Sequence, residues 1–171
     1  LSLSSSNTLK TMKTIKKFTF VLLFISGLQA VAQQQMKAPN PVRWSFTYET
    51  SKEHPDEVLI HFTATIEKDW HMYSQKTVTD GPVATSFTFV NAGSAYKLTG
   101  TVNEPSGDTK IDPAFATELT SFSNSADFTQ RITRKSKGVF LVEGDVEFMC
   151  CNNMQCLPPK KVHFNIEIPA Q

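Results

Sequence analysis

Glycine and proline are scarce, at 7 and 9 of 171 residues, which excludes collagen and low-complexity chains. Long apolar runs are also missing. The longest, residues 18–28, falls far short of the ~20 residues that a bilayer core demands. Basic charge is not in excess. Lys10, Lys13, Lys16 and Lys17 all lie in an acid-free leader, and removing them from the 17 basic residues leaves 13 against 16 acidic, a net charge of −3. Nothing in that balance points to nucleic acid or anionic lipid. Cysteine is confined to three residues between positions 150 and 156, so no bridge can join distant strands. What the chain does have is apolar residues at 40%, with 13 Phe, which is the composition of a globule with a real core and not of a disordered chain.

The amino end is expected to be a leader. Met12 opens a stretch with Lys13, Lys16 and Lys17, then an apolar run, then Ala30-Val31-Ala32 as a small-x-small cleavage site. This is the pattern of a secretory signal peptide over residues 12–32. Residues 1–11 precede the start methionine and are expected to be upstream translation. No Cys follows the cleavage site to carry a lipid. Cleavage leaves residues 33–171, one ordinary domain, with 33–41 as a polar, Pro-bearing tether and 42–171 as the folded part. The mature protein is expected to be exported without membrane insertion, to the periplasm in a two-membrane bacterium.

From Val42 the apolar residues recur with period two. Val42, Trp44, Phe46 and Tyr48 alternate with polar residues; so do Val58, Ile60, Phe62, Ala64 and Ile66. Further strands are expected over residues 70–74, 86–90, 96–102, 128–133, 138–151 and 161–168, with turn signals such as His54-Pro55-Asp56 and Asp80-Gly81-Pro82 between them. Eight short strands without an amphipathic helix predict an all-β, antiparallel sandwich of immunoglobulin-like type. Residues 103–127 show no sustained period. That length of connection is expected to form a loop over the sandwich edge or a mobile cap over a site, and it carries Ile111, Phe115, Leu119 and Phe122.

The cysteines supply the candidate site. In the strand leading to them, Phe140, Val142, Val146, Phe148 and Cys150 fall on one face, while Glu143, Asp145, Glu147, Met149 and Cys151 fall on the other. Cys150 is therefore expected to be a buried, inert thiol. Cys151 is expected at the strand end on the accessible side, with residues 152–155 turning the chain to bring Cys156 opposite it, a geometry in which a disulfide is reasonable. Spacing leaves three uses open: redox exchange, a structural staple, or a metal site. As a staple, a bridge closing so small a loop contributes only about 2 kcal/mol. As a metal site, Cys151, Cys156, Met149 and Met154 offer soft ligands suited to Cu(I), with His163 on the outward face of the last strand, but the spacing matches no zinc pattern. His54 and His61 are given no role.

The segment from Phe148 through Cys150-Cys151-Asn152-Asn153-Met154-Gln155-Cys156 to Pro159 resembles the signature of the amino-terminal periplasmic domain of the thiol:disulfide interchange protein DsbD family. Asp69-Trp70-His71-Met72-Tyr73-Ser74 resembles that family's aromatic strand, Asp80-Gly81-Pro82 its following turn, and Asp112-Pro113-Ala114-Phe115 its cap loop. The resemblance covers nearly all of the mature chain. It implies an immunoglobulin-like domain that carries electrons from thioredoxin-like proteins, or a membrane thiol reductase, to oxidised periplasmic proteins, without a cofactor. By the same analogy Cys156 forms the mixed disulfide and Cys151 resolves it, Phe115 caps the pair, and Asp112, His71 and Tyr73 line it. Two departures stand out: the best-known members have one more residue between their cysteines, and they continue into membrane and thioredoxin-like domains. A copper-binding or purely protein-binding, adhesion-type sandwich with a structural disulfide is the alternative. Phe122 is the second candidate for the cap.

Overall fold

The computed structural model describes residues 38–76, 78–90 and 92–171. The leader expected over residues 12–32, the segment before it and most of the tether lie outside the described residues. Eleven strands, and no helix among the described residues, follow in order: β1 (Val42–Thr50), β2 (Glu57–Ile66), β3 (His71–Tyr73), β4 (Ser86–Phe89), β5 (Tyr96–Asn103), β6 (Asp108–Asp112), β7 (Thr117–Phe122), β8 (Ser125–Arg134), β9 (Phe140–Phe148), β10 (Cys150–Cys151) and β11 (Lys160–Ile168). All pair antiparallel. One sheet runs β1-β2-β8-β5, a second β11-β9-β4 and a third, smaller one β10-β3-β7-β6. The protein is an immunoglobulin-like β-sandwich.

The period-two pattern builds the core directly. In β2 the residues Val58, Ile60, Phe62, Ala64 and Ile66 are all buried, and in β9 so are Phe140, Val142, Val146 and Phe148. The scarcity of cross-links is made good by aromatic rings meeting from both large sheets. Phe62 of β2 lies 4.8 Å from Phe87 of β4 and 4.9 Å from Phe164 of β11, ring centre to ring centre. Trp44 of β1 reaches Phe148 of β9 at 5.6 Å. These tilted and edge-on contacts are the arrangements that aromatic quadrupoles favour, each contributing about 0.5–1.5 kcal/mol beyond area burial. Gly144 lets β4 and β11 pass close on either side of β9: a Cβ there would overlap the Thr88 carbonyl oxygen and the Phe164 ring.

Residues 103–127 differ from the expectation of an unstructured connection. They hold β6 and β7, a hairpin in register from Asp108↔Ser121 to Asp112↔Thr117, and the start of β8. Periodicity missed it because β6 is an edge strand, exposed at four of its five residues, so no apolar face marks it. The expected single strand over 138–151 is likewise two, broken at Met149. That break lets β9 stay in the large sheet while β10 joins the small one.

Candidate functional site

The small sheet has two working faces. Met72, Phe122 and Cys150 face the main core, where Phe122 packs edge-on against Phe128 at 5.4 Å. Phe122 is thus core and is excluded as a cap. The opposite face carries a second, smaller cluster: buried Tyr73, Leu119 and Cys151, with Phe115, Met149 and Cys156 packed against them. Adjacent cysteines therefore enter different environments, because the pleat reverses side-chain direction at each residue. Cys150 remains a free thiol, 4% exposed, and burial pushes its pKa up to about 11.

Cys151 and Cys156 form a disulfide. The turn between them is held by its own first residue: Asn152 Oδ1 accepts hydrogen bonds from the backbone N–H groups of Met154 and Gln155, and the Asn152 N–H donates to the Gln155 carbonyl. This is the local cap that Asn favours in tight turns. Leu157 N–H then donates to the Cys150 carbonyl, fixing the return path. One expectation is corrected here. Cys151 is not on an accessible side; it is 1% exposed, because the β6–β7 hairpin and the aromatic residues of β3 cover the face it points to. Cys156 is only half-buried. The pair is asymmetric in access.

β3 aligns with β10 so that His71 lies directly opposite Cys151 and Met72 opposite Cys150. Directly opposite residues share a face, so His71 and Tyr73 stand on the cysteine side. Tyr73 Oη donates to Asp112 Oδ2 at 3.0 Å and lies 3.1 Å from His71 Nε2, which is itself 3.4 Å from Asp112 Oδ2. Burial raises the Tyr73 pKa, with the Asp112 hydrogen bond adding to the effect, so the phenol keeps its proton. Burial lowers the His71 pKa below 6.5 against the opposing pull of Asp112. Asp112, 4% exposed, is the one buried carboxylate among the described residues.

Asp112 also shapes the loop that follows it. Its Oδ1 accepts from Ala114 N–H and its carbonyl from Ala116 N–H, closing residues 113–116 into a tight hairpin loop. Ala116 sits at φ +51°, the left-handed region that a non-glycine residue enters at a cost of about 1–2 kcal/mol. The loop holds Phe115 edge-on to Tyr73, with ring centres 5.8 Å apart and planes at 89°. Cys151, Cys156, Phe115, His71, Tyr73 and Asp112 are thus brought together, all six from the sequence-based set. The cap is four residues on a hairpin and not the whole of 103–127. Leu119, buried against the pair, and Asn152, which holds its turn, carry structural work that the sequence reading did not assign to them.

The soft-ligand set does not assemble in the same way. Met149 packs near the pair, but Met154 is 92% exposed at the turn apex, and both sulfurs are committed to the disulfide. His163 pairs instead with Asp145 across β11 and β9. Among the described residues, no group of three or more His, Cys, Asp and Glu is arranged to hold a metal ion.

The family model for the thiol:disulfide interchange protein DsbD, N-terminal, matches residues 29–168. The chain belongs to this family. Among solved structures it is similar to the N-terminal domain of DsbD from Neisseria meningitidis in the reduced form, at 16% identity and TM-score 0.48, covering 75% of this chain and 90% of that one. It is also similar to the N-terminal periplasmic domain of ScsB from Proteus mirabilis, at 15% identity and TM-score 0.52, covering 79% of this chain. It spans half the length of that ScsB chain. A comparison with curated proteins produced no match. Among the described residues no helix is long and apolar enough to cross a membrane.

Proposed function

We propose that this DsbD-family domain is an exported thiol:disulfide exchange module, acting in the periplasm of a two-membrane bacterium. A thioredoxin-like protein or a membrane thiol reductase delivers electrons to the Cys151–Cys156 pair, which passes them to disulfides of exported proteins. The observation that carries this reading is the asymmetric disulfide itself, closing a four-residue turn beside Phe115 with Cys156 half-buried and Cys151 buried.

The chemistry follows from access. Exchange needs in-line approach of a thiolate to one sulfur. Cys156 offers that approach, so the partner's thiolate attacks Cys156 Sγ, a new partner–Cys156 bond forms, and the electron pair of the old bond leaves on Cys151 Sγ. The partner's second thiol then attacks the mixed disulfide and departs oxidised, leaving Cys151 and Cys156 as thiols. In the outward direction Cys156 attacks the target disulfide, and Cys151 resolves the intermediate. Cys150, facing the main core with its proton retained, takes no part.

A redox titration in glutathione or dithiothreitol tests this. The pair should equilibrate within the roughly −180 to −270 mV spanned by thioredoxin-like proteins, and Cys156→Ser should abolish mixed-disulfide trapping. A bridge that stayed closed well below roughly −300 mV would be a structural staple, and the exchange reading would be wrong.

A further inference from the structure

Breaking the disulfide places a negative charge on the sulfur of Cys151, a residue only 1% exposed, on the same face by register as the buried carboxylate of Asp112. Two like charges brought together away from water oppose each other strongly, so Cys151 is a poor leaving group unless something offsets Asp112. Four other groups stand near enough to matter, and most are unsuited. Tyr73 keeps its proton, Cys150 lies on the far face, and Lys110 of β6 is an exposed point charge in solvent. The fourth is His71.

We propose that His71 is a positioning residue whose protonated ring neutralises Asp112 and so allows Cys151 to leave as thiolate, making exchange faster in acid than the attacking thiol alone dictates. This inference rests on the exchange reading above. His71 lies directly across from Cys151, its Nε2 is 3.4 Å from Asp112 Oδ2, and its side chain is 18% exposed, so the pair is partly shielded from solvent screening. The groups facing it are Asp112 and Lys110 from β6, Tyr73 from its own strand and Cys151 from β10. Glu118 of β7, opposite Ile111, falls on the other face by register. Burial lowers the His71 pKa, so the charge arrives only below about pH 6.5 and the ring is neutral above it.

The step balances as ordinary exchange: the partner thiolate supplies the electron pair, the Cys151–Cys156 bond breaks, and His71 alters only the cost of charge on the departing sulfur. It neither gains nor loses electrons.

The test is the rate of reduction of the disulfide by dithiothreitol from about pH 5 to about 8.5, divided at each pH by the thiolate fraction of the reductant. For the wild-type protein the corrected rate should rise by at least about threefold on acidification, with a midpoint equal to that of the His71 imidazole followed by NMR on the same protein. His71→Gln, which keeps a hydrogen-bond donor for Asp112 but cannot charge, should give a flat profile. Asp112→Asn should be flat as well, and fast. Retention of the acid rise in His71→Gln, or a wild-type midpoint that does not coincide with the His71 titration, would overturn the inference. The midpoint comparison needs no variant to fold. A wild-type pair that exchanges with a flat corrected profile removes this inference and leaves the exchange reading standing; a pair that no thiol reduces removes both.

Discussion

Phe115→Ala separates a cap from a core residue, because the same contacts set two measurable quantities. Phe115 is half-buried, edge-on to Tyr73 and packed against both sulfurs' cluster. Truncating a fully buried Phe costs about 3–5 kcal/mol, so a half-buried ring on a four-residue loop should cost about 1–2 kcal/mol, the aromatic pair included. If the ring must lift before a small reagent can reach the sulfurs, that same 1–2 kcal/mol is the work of opening. Removing it should accelerate reaction of the reduced pair by about 5- to 30-fold, since this is the factor those energies represent.

Both numbers come from simple assays. Urea unfolding gives the stability loss, and stopped-flow reaction of the reduced domain with a small disulfide reagent gives the acceleration. Agreement between the two within about threefold is the expected result. A loss above about 3 kcal/mol with no gain in thiol reactivity would refute the reasoning: Phe115 would then be core. Phe122 could not inherit the role, since it packs against Phe128 in the main core.

Cys150 should resist iodoacetamide until the protein unfolds, and peptide mapping of the oxidised protein should find only the Cys151–Cys156 bridge. Its pKa, about 11 in the fold against 9.0 for an ordinary thiol, means the unfolded chain releases that proton first. Stability conferred by the buried thiol is complete below about pH 9 and declines as pH rises toward 11, by about 2–3 kcal/mol. Cys150→Ala should flatten that part of the alkaline stability curve, at some cost in packing. Gly144→Ala should destabilise by at least about 2–3 kcal/mol, since the new methyl meets a carbonyl oxygen and a ring that cannot both move; unchanged urea midpoints would show that β4 is free to shift. Tyr73→Phe should cost about 1–3 kcal/mol by leaving Asp112 without its phenol donor, and a variant as stable as wild type would mean that water or His71 replaces it.

How much of this was legible in the sequence divides along physical lines. The long inward strands were plain because burial on one face writes an alternating pattern; Val58 to Ile66 and Phe140 to Phe148 sit as that pattern requires. The sandwich class followed from them. The β6–β7 hairpin was not legible, since edge strand β6 buries only Asp112, a polar residue that reads as a turn former. The division of Cys150 from Cys151 was visible as parity along the strand, yet the direction of exposure was not. Parity says that two neighbours face opposite ways; it does not say that the second face will be roofed by a hairpin formed some forty residues earlier in the chain.

On the exchange reading proposed above, that roof gives the turn disulfide an order of events. An exposed pair would be attacked at either sulfur. Here Cys151 is buried among Tyr73, Leu119 and Phe115 while Cys156 is half-buried, so in the proposed exchange Cys156 is the sulfur that a partner meets first. In that proposal the leaving charge falls on the buried sulfur, on the sheet face that also carries Asp112. A site made only for stability would gain nothing from burying a carboxylate there, since an apolar residue would pack under the loop without the desolvation cost of an ion. Asp112 instead holds three things at once: the phenol of Tyr73, the imidazole of His71 and, through Ala114 and Ala116, the loop that carries Phe115. One carboxylate thereby contacts both the loop that carries Phe115 and the imidazole opposite Cys151. Asp112→Ala should accordingly loosen both together, with faster small-reagent attack on the reduced pair and loss of the Phe115–Tyr73 ring contact in NMR spectra. Should the ring contact persist while reactivity changes, the loop is held by its backbone alone and the two functions of Asp112 are separate.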